Sequence, residues 1–299
     1  MKRRVLHKIS TGTDFFNDIL YGYSLRNLSG SWTNRVLTIR RSSDNAETSV
    51  FFNGGTITLS SKVSSGVSNT PSATSLSTWI GTDNAFVKSF YPQTSDSIED
   101  STYNIEQTNT TLQPRFINAG VIEIYNGNPS IYSDGTKYLM CTTALTELNY
   151  GNAFTLISVS ANLSSNSQGT IFCNYNTGFS EVLRHINDRR TQKRNSFIYR
   201  IGGTYVFVDN LAQDDTSNQK LQTFTIDSSG NMESWKDGTP QNTNTLISSY
   251  YNTALRLFSA EANAIILNGH IQEFLIYPLE LTTTLGDVHT NINDYYSIY

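Results

Sequence analysis

The sequence has few cysteines, few histidines and no clustered metal ligands. Only two of its 299 residues are cysteine, Cys141 and Cys173, and both lie in apolar, strand-like runs. A bridge between them is one alternative, but we predict two buried free thiols, because free cysteine behaves as a small apolar side chain. The four histidines are scattered and show no zinc-site spacing. We therefore predict no metal and no cofactor.

Charge is also scarce, and long apolar runs are missing. Charged residues make up 15% of the chain and the net charge is -4, which argues against a nucleic-acid partner. No apolar run approaches the ~18 residues of a membrane helix. The basic start, MKRRVLHKIS, is not followed by the apolar core of a secretory signal. We expect neither nucleic-acid binding nor a membrane association.

The composition that is present is typical of a β-rich protein with polar loops. Aromatic residues make up 12% of the chain, with 17 tyrosines, and Ser, Thr and Asn are abundant. Beyond Ala153, apolar runs recur at the roughly 8–12-residue spacing of a β-sandwich. Turns are predicted at Asp227-Ser228-Ser229-Gly230 and at Lys236-Asp237-Gly238, and HINDRRTQKR is interpreted as a polar loop between strands. We predict an all-β, antiparallel, two-sheet jelly-roll sandwich.

A helix is predicted near each end of the chain. Apolar spacings of three and four residues from Asp14 onward predict an N-terminal helix that ends at Gly30. Near the other end, Asn268-Gly269 predicts a turn, and Ile271–Tyr277 a strand that stops at Pro278. A short amphipathic helix then follows from an apolar stripe at Leu281, Leu285, Val288, Ile292, Tyr295 and Tyr299. One of Thr282, Thr283 and Thr284 is expected to cap it.

The closing strand carries a family resemblance. The string NGHIQEFLIYPLELTTT resembles the end of laminin-G-like, concanavalin-A-like jelly-roll domains. In those domains a small-Gly-x-Ile-x-Glu strand leads to a short helix. Gly269, Ile271, Glu273, Phe274 and Tyr277 are among the residues that stand in the matching places. This resemblance implies an architecture and leaves the function open.

A second resemblance covers both ends and the middle of the chain. YSLRNL at Tyr23–Leu28, RRSSDNAE at Arg40–Glu47, and the stretch Thr111–Leu139 are similar to phage virion proteins related to the catalytic domain of arabinofuranosidase B. In those relatives a further segment ends in Trp-Tyr-Asp-Gln-Ser-Gly, whereas Pro92 stands here in place of the Asp. We interpret Arg40, Arg41 and Asp44 as a charge-paired turn and not as catalytic residues.

The resemblances suggest three parts. Residues 1–13 form an N-terminal arm, residues 14–112 a helix, strands and loops packed on the sandwich, and residues 113–299 the laminin-G-like jelly roll. The arm carries a basic cluster of Lys2, Arg3, Arg4 and Lys8. This cluster is either a solvated tail or an anchor to an acidic surface of a larger particle.

Candidate sugar-binding residues are three aromatics near predicted loops. Trp235 lies in a hairpin, and Tyr250 and Tyr251 lie near a loop. Exposed aromatic rings stack on sugar rings, while Asn, Asp or Gln bond the hydroxyls. The alternative is that these three side chains fill the core. The acidic run DNLAQDDTSN lacks the spacing of a calcium loop and is interpreted as a solvated loop.

No catalytic residue can be assigned from the sequence. Glycoside hydrolysis needs two carboxylates about 5–9.5 Å apart across the scissile bond. Acidic residues such as Glu233 and Glu273 are available, but no pair is marked by spacing. We therefore predict that the chain is not an enzyme.

The predicted function follows the phage resemblance. We expect a structural component of a tailed bacteriophage virion, as a capsid decoration, head fibre or tail-associated protein. Its partners would be other virion proteins, further copies of itself and, through its loops, a host-surface glycan. The first alternative is a carbohydrate-binding adhesin for host attachment, and the second is a glycosidase acting on furanosides.

Overall fold

The computed structural model describes most of the chain. The described residues are 16, 18–94, 99, 101–149, 151–164, 168–174, 181–188, 194–201, 204–209, 217–245, 255–260 and 265–299. The predicted anchoring residues Lys2, Arg3, Arg4 and Lys8 lie outside them, as do Tyr250 and Tyr251.

Strands dominate the described residues, and two α-helices interrupt them. The strands before residue 142 are β1 (Tyr21–Ser24), β2 (Leu37–Arg41), β3 (Glu47–Val50), β4 (Lys62–Ser64), β5 (Pro71–Ser75), β6 (Ala85–Phe90), β7 (Ile105–Glu106), β8 (Arg115–Asn118), β9 (Val121–Ile122), β10 (Ile124–Tyr125), β11 (Asn128–Pro129), β12 (Ile131–Asp134) and β13 (Leu139–Cys141). The later strands are β14 (Phe154–Asn162), β15 (Gln168–Asn174), β16 (Glu181–Asp188), β17 (Arg194–Ile201), β18 (Thr204–Asp209), β19 (Lys220–Ile226), β20 (Asn231–Lys236), β21 (Thr239–Thr245), β22 (Leu255–Leu257) and β23 (Asn268–Tyr277). The helices are α1 (Leu76–Ile80) and α2 (Leu285–Tyr296), and short 3-10 turns lie at Ser101–Tyr103 and Thr146–Leu148.

Among the described residues, all strands except β10 and β11 form one continuous hydrogen-bonded set that is folded into two layers, while β10 and β11 pair only with each other. The first layer runs in the order β21, β20, β19, β14, β23, then β1 and β12 side by side, β8, β6, β2, β3, β4 and β5. The second runs in the order β18, β17, β16, β15, β22, β13 and β7. Strand β7 also pairs with β6, which joins the layers at one edge. All these pairings are antiparallel.

Aromatic rings from the two layers meet in the middle. Phe172 of β15 and Phe274 of β23 have ring centroids 4.8 Å apart, and Phe197 of β17 and Phe224 of β19 have centroids 4.9 Å apart. Burying such rings is the main source of apolar stabilisation in a sandwich core. The predicted all-β two-sheet sandwich is therefore confirmed, and so are the two predicted turns and the two buried free cysteines.

The predicted N-terminal helix is wrong over its described residues. Tyr21–Ser24 is the strand β1, and it pairs with β23 from Tyr21 opposite Ile276 to Ser24 opposite Glu273. All four residues of β1 are buried, because the strand has the sandwich core on one face and α2 on the other. Apolar side chains are then required on both faces, and such a run also satisfies helical spacing.

Two strands, β16 and β21, are not predicted by the sequence patterns. The predicted loop HINDRRTQKR begins inside β16 and ends at the start of β17. Strand β21, TPQNTNT, is almost wholly polar and exposed or half-buried. It is a strand because the hairpin tip at Asp237-Gly238, where both residues have positive φ, aligns it with β20. Tertiary pairing, not side-chain pattern, defines this element.

The closing strand begins at Asn268, three residues earlier than predicted. Asn268 and Gly269 are the first residues of β23 and not a turn. A Cβ atom on Gly269 would lie 2.0 Å from the carbonyl oxygen of Ala161 on β14. Glycine is required here because the two backbones approach so closely, and not because the chain reverses.

The predicted C-terminal helix is confirmed as α2. Leu281, Leu285, Val288 and Ile292 of the predicted stripe are buried and pack on the outer face of the first layer against Ile157 and Leu275. The helix ends at Ser297, which has a positive φ of 52°, so Tyr299 lies beyond it and is 55% exposed. Within the described part of the chain, neither helix is both long and apolar enough to cross a bilayer.

Both sides of the predicted boundary at residue 113 contribute to the same layer. Strand β6 pairs with β8, and β1 pairs with β23. The division of the chain into residues 1–13, 14–112 and 113–299 stays a prediction from the sequence.

A buried ion pair joins β1, β23 and α2. Arg26 Nε lies 2.7 Å from Glu273 Oε2, and Nη2 donates to Oε1 at 3.0 Å. Ser24 donates to the same carboxylate at 2.6 Å, and Arg26 Nη1 donates to Asn291 of α2 at 2.8 Å. Burial works to lower the pKa of Arg26, but the charge and hydrogen bonds of Glu273 outweigh it and raise that pKa above its usual value. The Arg26 guanidinium therefore stays charged inside the protein.

Glu273→Gln should lower the free energy of unfolding by roughly 3–5 kcal/mol, because it leaves the buried Arg26 charge without its counterion. Urea denaturation followed by circular dichroism would measure this. The matched control is Glu47→Gln, which breaks the Lys88–Glu47 pair, where both side chains are about 30% exposed. That control should cost at most about 1 kcal/mol, and equal costs for the two variants would contradict the assigned role of the buried pair.

Candidate functional site

The structure places only one of the three predicted sugar-binding aromatics. Trp235 lies on β20, half-buried, with its ring edge against His289 of α2 at a centroid distance of 5.9 Å. Its ring thus packs against α2. This agrees with the alternative, raised by the sequence, that these aromatic side chains fill the core. Tyr250 and Tyr251 lie outside the described residues, so their role in sugar binding stays a prediction.

The hairpin that carries Trp235 also forms a surface pocket. We call it the hairpin pocket; it is lined by Glu233, Ser234, Pro240, Gln241, Asn242 and Thr243. Its volume is about 220 Å³, below the roughly 300–1,000 Å³ of pockets that enclose drug-sized ligands. A cavity of this size suits one small polar group or ring. Carboxylate, amide and hydroxyl side chains supply the donors and acceptors that sugar hydroxyls require.

Hydrogen-bonded turns lie at both ends of β20, the strand that carries Trp235. Asp227 accepts hydrogen bonds from the backbone of Ser229 and Asn231 at 2.8 and 2.9 Å, and from the Asn231 side chain at 2.7 Å. At the other end, Asp237 exchanges hydrogen bonds with Leu221. Burial raises the pKa of the Asp227 carboxyl, but the hydrogen bonds that it accepts within its own turn outweigh burial, so this pKa lies below its usual value. The strands that line the pocket therefore have little freedom to move.

Glu233 belongs to a row of side chains that runs across four strands to the pocket. Thr155, Thr225, Glu233 and Thr243 are successive partners across β14, β19, β20 and β21, and partners in an antiparallel pair point to the same face. That face is the outer one, since Ile157, two residues from Thr155, packs against α2. The row ends at the pocket.

The segment after β23 crosses this row. Thr155 donates its hydroxyl to the carbonyl of Leu279 at 3.0 Å and accepts from the backbone N–H of Leu281 at 2.9 Å. Glu280, between them, is half-buried. Burial and the nearby charges of Asp227 and Glu233 raise the pKa of Glu280 above its usual value. We call Asp227, Glu233 and Glu280, whose charges interact, the carboxylate cluster.

Buried polar atoms without partners lie behind the pocket. Ser234 lines the pocket and is 0% exposed, and its hydroxyl has no hydrogen-bond partner among the described residues. Gln222, opposite the neighbouring Lys236, is also fully buried, and neither atom of its amide group has a partner in the described part of the chain. Such atoms cost folding energy unless water or a ligand satisfies them. Ser234 is the cross-strand partner of Phe224, so its hydroxyl lies on the inner face of the sheet beside the core, opposite to Glu233.

The residues that carry the phage resemblance are structural. Arg41 pairs with Asp44 at 2.7 Å in the turn between β2 and β3, while Arg40 donates to Asn45 and Gln113 at 2.8 Å each. The predicted charge-paired turn is confirmed for Arg41 and Asp44, whereas Arg40 bonds uncharged groups. Gln93 bonds the backbone of Ser24, Arg26 and Leu28, so this segment too holds strands together. Glu273, one of the acidic residues considered for catalysis, forms the buried ion pair with Arg26.

A metal centre is not formed by the described residues. No group of three or more His, Cys, Asp or Glu side chains among them could hold a metal ion. Asp214 and Asp215 of the predicted acidic loop lie outside the described residues. The predicted absence of a metal therefore stays a prediction for the chain as a whole.

Comparison with known proteins shows the fold. No protein-family model matches the sequence, and no curated protein matches it. Among solved structures, a GH54 α-L-arabinofuranosidase soaked with a cyclic sulfate inhibitor is similar at a TM-score of 0.62 and 11% identity, over 92% of this chain and 62% of that one. A glutamate-to-glutamine mutant of a GH54 arabinofuranosidase, soaked with 4-nitrophenyl α-L-arabinofuranoside, gives a TM-score of 0.64 and 12% identity with the same coverage.

A weaker likeness is to domain 4 of AbnA, a GH43 extracellular arabinanase from Geobacillus stearothermophilus, in complex with arabinotriose. Its TM-score is 0.45 at 12% identity, over 54% of this chain and 76% of that one. The chain spans 62% of the length of the arabinofuranosidases that it matches. At these identities the likeness concerns the β-sandwich fold.

The arabinofuranosidase likeness corrects the prediction that the chain is not an enzyme. That prediction rested on the absence of a carboxylate pair marked by spacing. It is wrong as a conclusion, because 92% of the chain shares the fold of enzymes and because folding brings Glu233 and Glu280 within electrostatic reach of each other. Sequence spacing could not reveal this pair, since the two residues belong to separate segments.

Glu233→Gln should lower the pKa of Glu280 toward its ordinary value, because it removes one of the two like charges that raise it. The shift should be partial, since burial and Asp227 remain. Because folding raises the pKa of Glu280, ionising this carboxyl lowers the free energy of unfolding. This loss of stability is absent below the unfolded-state pKa and complete above the folded-state pKa. Carboxyl-carbon NMR titration would measure the change.

Glu147→Gln is the matched control for this titration. It removes one carboxylate elsewhere on the chain, in the 3-10 turn Thr146–Leu148, and should leave the pKa of Glu280 unchanged. An unchanged titration of Glu280 in both variants would show that Glu233 does not interact with it.

Proposed function

We propose that this chain is a glycan-binding β-sandwich protein of a tailed bacteriophage particle. The observation that carries the glycan-binding part is the hairpin pocket, which is lined by polar residues that include Glu233, Gln241 and Asn242. The fold supports it, since arabinofuranosidases that act on sugars are built on a similar sandwich. The pocket takes one sugar residue of a host-surface glycan.

The particle-borne role rests on the sequence resemblance to phage virion proteins. The matching residues hold segments of the sandwich together, as Arg26 with Glu273 and Arg41 with Asp44 do. In this proposal the basic arm anchors the protein to neighbouring virion proteins, and the sandwich presents its pocket outward. Self-association is part of the proposal, because repeated particle proteins are built from symmetric copies.

A second candidate function is hydrolysis of furanosides, and the carboxylate pair favours it. Glu280, with its raised pKa, would act as the general acid, and Glu233, in the pocket wall, as the partner carboxylate. A carboxyl with a raised pKa beside a second carboxylate is an arrangement that glycosidases use. Sugar release from a bound furanoside would distinguish this function from binding.

Gln241→Ala and Asn242→Ala should each weaken glycan binding about three- to tenfold, because each removes side-chain hydrogen bonds of roughly 0.5–1.5 kcal/mol. Isothermal titration against a broad glycan panel that includes arabinotriose would give the affinities. Trp235 emission offers a second readout, since its indole lies on the same hairpin. Product analysis after incubation with 4-nitrophenyl α-L-arabinofuranoside reports hydrolysis in parallel.

Asn118→Ala is the matched control for these variants. It removes an exposed amide from β8, outside the pocket, and should leave affinity unchanged. Absence of binding across the whole panel would refute the glycan-binding proposal, and release of nitrophenol that depends on Glu233 and Glu280 would favour hydrolysis.

Labelled antibody on intact phage particles should find the protein at fixed, repeated positions. Arg3→Ser with Arg4→Ser should reduce its incorporation, because two cations of the proposed anchor are lost. The matched control, Lys62→Ser with Lys137→Ser, removes two cations from the sandwich surface and should incorporate normally. Absence of the unaltered protein from particles would sink the virion proposal while leaving glycan binding open.

A further inference from the structure

We propose that His185 makes the packing between the two layers of the sandwich sensitive to acid, because a proton on its imidazole places a charge between them. His185 lies in β16 of the second layer and is 0% exposed. Its ring faces Ser158 of β14 in the first layer. This device lies in the core and is independent of the glycan-binding and particle roles proposed above.

Aromatic rings and one hydroxyl surround the imidazole. It stacks on Phe197 of β17 at a centroid distance of 4.2 Å and an interplanar angle of 8°, and the centroid of the Phe172 ring lies 5.9 Å away. The Nδ1 atom lies 3.5 Å from Ser158 Oγ, and Nε2 has no hydrogen-bond partner among the described residues. A neutral imidazole has one N–H to satisfy, whereas an imidazolium has two. The second N–H would therefore be buried without an acceptor in the described part of the chain.

Ser158 and Gln222 are the polar neighbours of the ring in this apolar core. Gln222 is the cross-strand partner of Ser158, so both side chains point to the same face of the first layer. Gln222 is 0% exposed, and neither atom of its amide group has a partner among the described residues. Buried polar groups with so few hydrogen bonds solvate a charge poorly.

The charged groups that face this part of the core do not favour a proton on the ring. On β19, Lys220 lies two residues from Gln222 on the same face, and Lys236 of β20 is the cross-strand partner of Gln222. Both lysines have the same sign of charge as an imidazolium. The other titratable side chains described on β15, β16, β20 and β23 point to the outer faces: Cys173, Arg184, Glu233, His270, Glu273 and Tyr277. No carboxylate described on these strands is a counterion for the ring.

Burial lowers the pKa of His185 to about 3. The face of Phe197 attracts a cation, but this attraction is smaller than the cost of taking a charge out of water. In the unfolded chain the imidazole has its ordinary pKa of about 6.5. The full free energy of unfolding is thus present above the unfolded-state pKa, and it declines as the pH falls toward the folded-state pKa.

The test measures unfolding by urea at several pH values between about 6.5 and 4.5, with near-ultraviolet circular dichroism reporting the aromatic packing between the layers. For each proton that only the unfolded state binds, the unfolding equilibrium constant rises about tenfold per pH unit. His185→Phe keeps an aromatic ring against Phe197 and removes the titrating group. At the acid end of the range, its unfolding equilibrium constant should therefore rise about tenfold less per pH unit than that of the unaltered protein.

Ser158→Ala is the matched control, since it alters a contact of the ring and leaves the imidazole in place. It should keep the pH dependence of the unaltered protein, whatever its absolute stability. His270 and His289 are also buried, and burial is the main cause that lowers the pKa of each to about 4. Their contribution is present in all three proteins and cancels in the comparison.

Nuclear magnetic resonance of the unaltered protein with ¹⁵N-labelled histidine gives an independent measurement. His185 should keep the signals of a neutral imidazole down to about pH 4.5 in the folded protein. A titration of His185 near its ordinary pKa overturns the inference. So does a pH dependence of His185→Phe equal to that of the unaltered protein, because the imidazole would then not cause the acid sensitivity. If His185→Phe does not fold, the resonance titration decides the outcome.

Discussion

The buried pair of Arg26 and Glu273 is the constraint on which the architecture depends. Taking two charges out of water costs several kcal/mol per ion, and only close, hydrogen-bonded geometry offsets that cost. Ser24, Asn291 and the rings of Tyr295 and Tyr296 complete the surroundings of the pair. Because these groups come from β1, β23 and α2, the pair is satisfied only when all three elements are in place. The first strand, the last strand and the last helix are therefore fixed together.

That arrangement divides the outer face of the first layer into a covered and an open half. Where α2 lies, the outward side chains are apolar, as with Ile157, Leu221 and Leu275. Farther along the same face, β19 presents the buried Thr225, β20 the half-buried Glu233 and β21 the exposed Thr243. An uncovered sheet face must be polar, and its polarity also makes it a place for hydrogen-bonding ligands. The site is thus a consequence of how much of the sheet one short helix can cover.

The sequence predicts the parts of this structure that follow from local chemistry. The apolar stripe from Leu281 to Ile292 gives α2, and the Asp-Gly dipeptide at Asp237 gives a hairpin tip. Strand β1 is misread as a helix, since burial on both faces removes the alternation that identifies a strand. Strand β21 has no apolar pattern at all. The carboxylate cluster is beyond local analysis, because its members come from the start of a turn, a central strand position and a connecting segment.

The residues that identify the architecture and those that form the site do not overlap. Arg26, Arg41, Gln93 and Glu273, which carry the family resemblances, are all occupied in holding backbone segments together. The pocket is formed by β20 and β21, to which no resemblance extends. A fold can therefore be shared with arabinofuranosidases at 11–12% identity while the binding surface changes freely. For this chain, the proposed ligand specificity has to be argued from the side chains of its own hairpin, because the shared fold does not determine them.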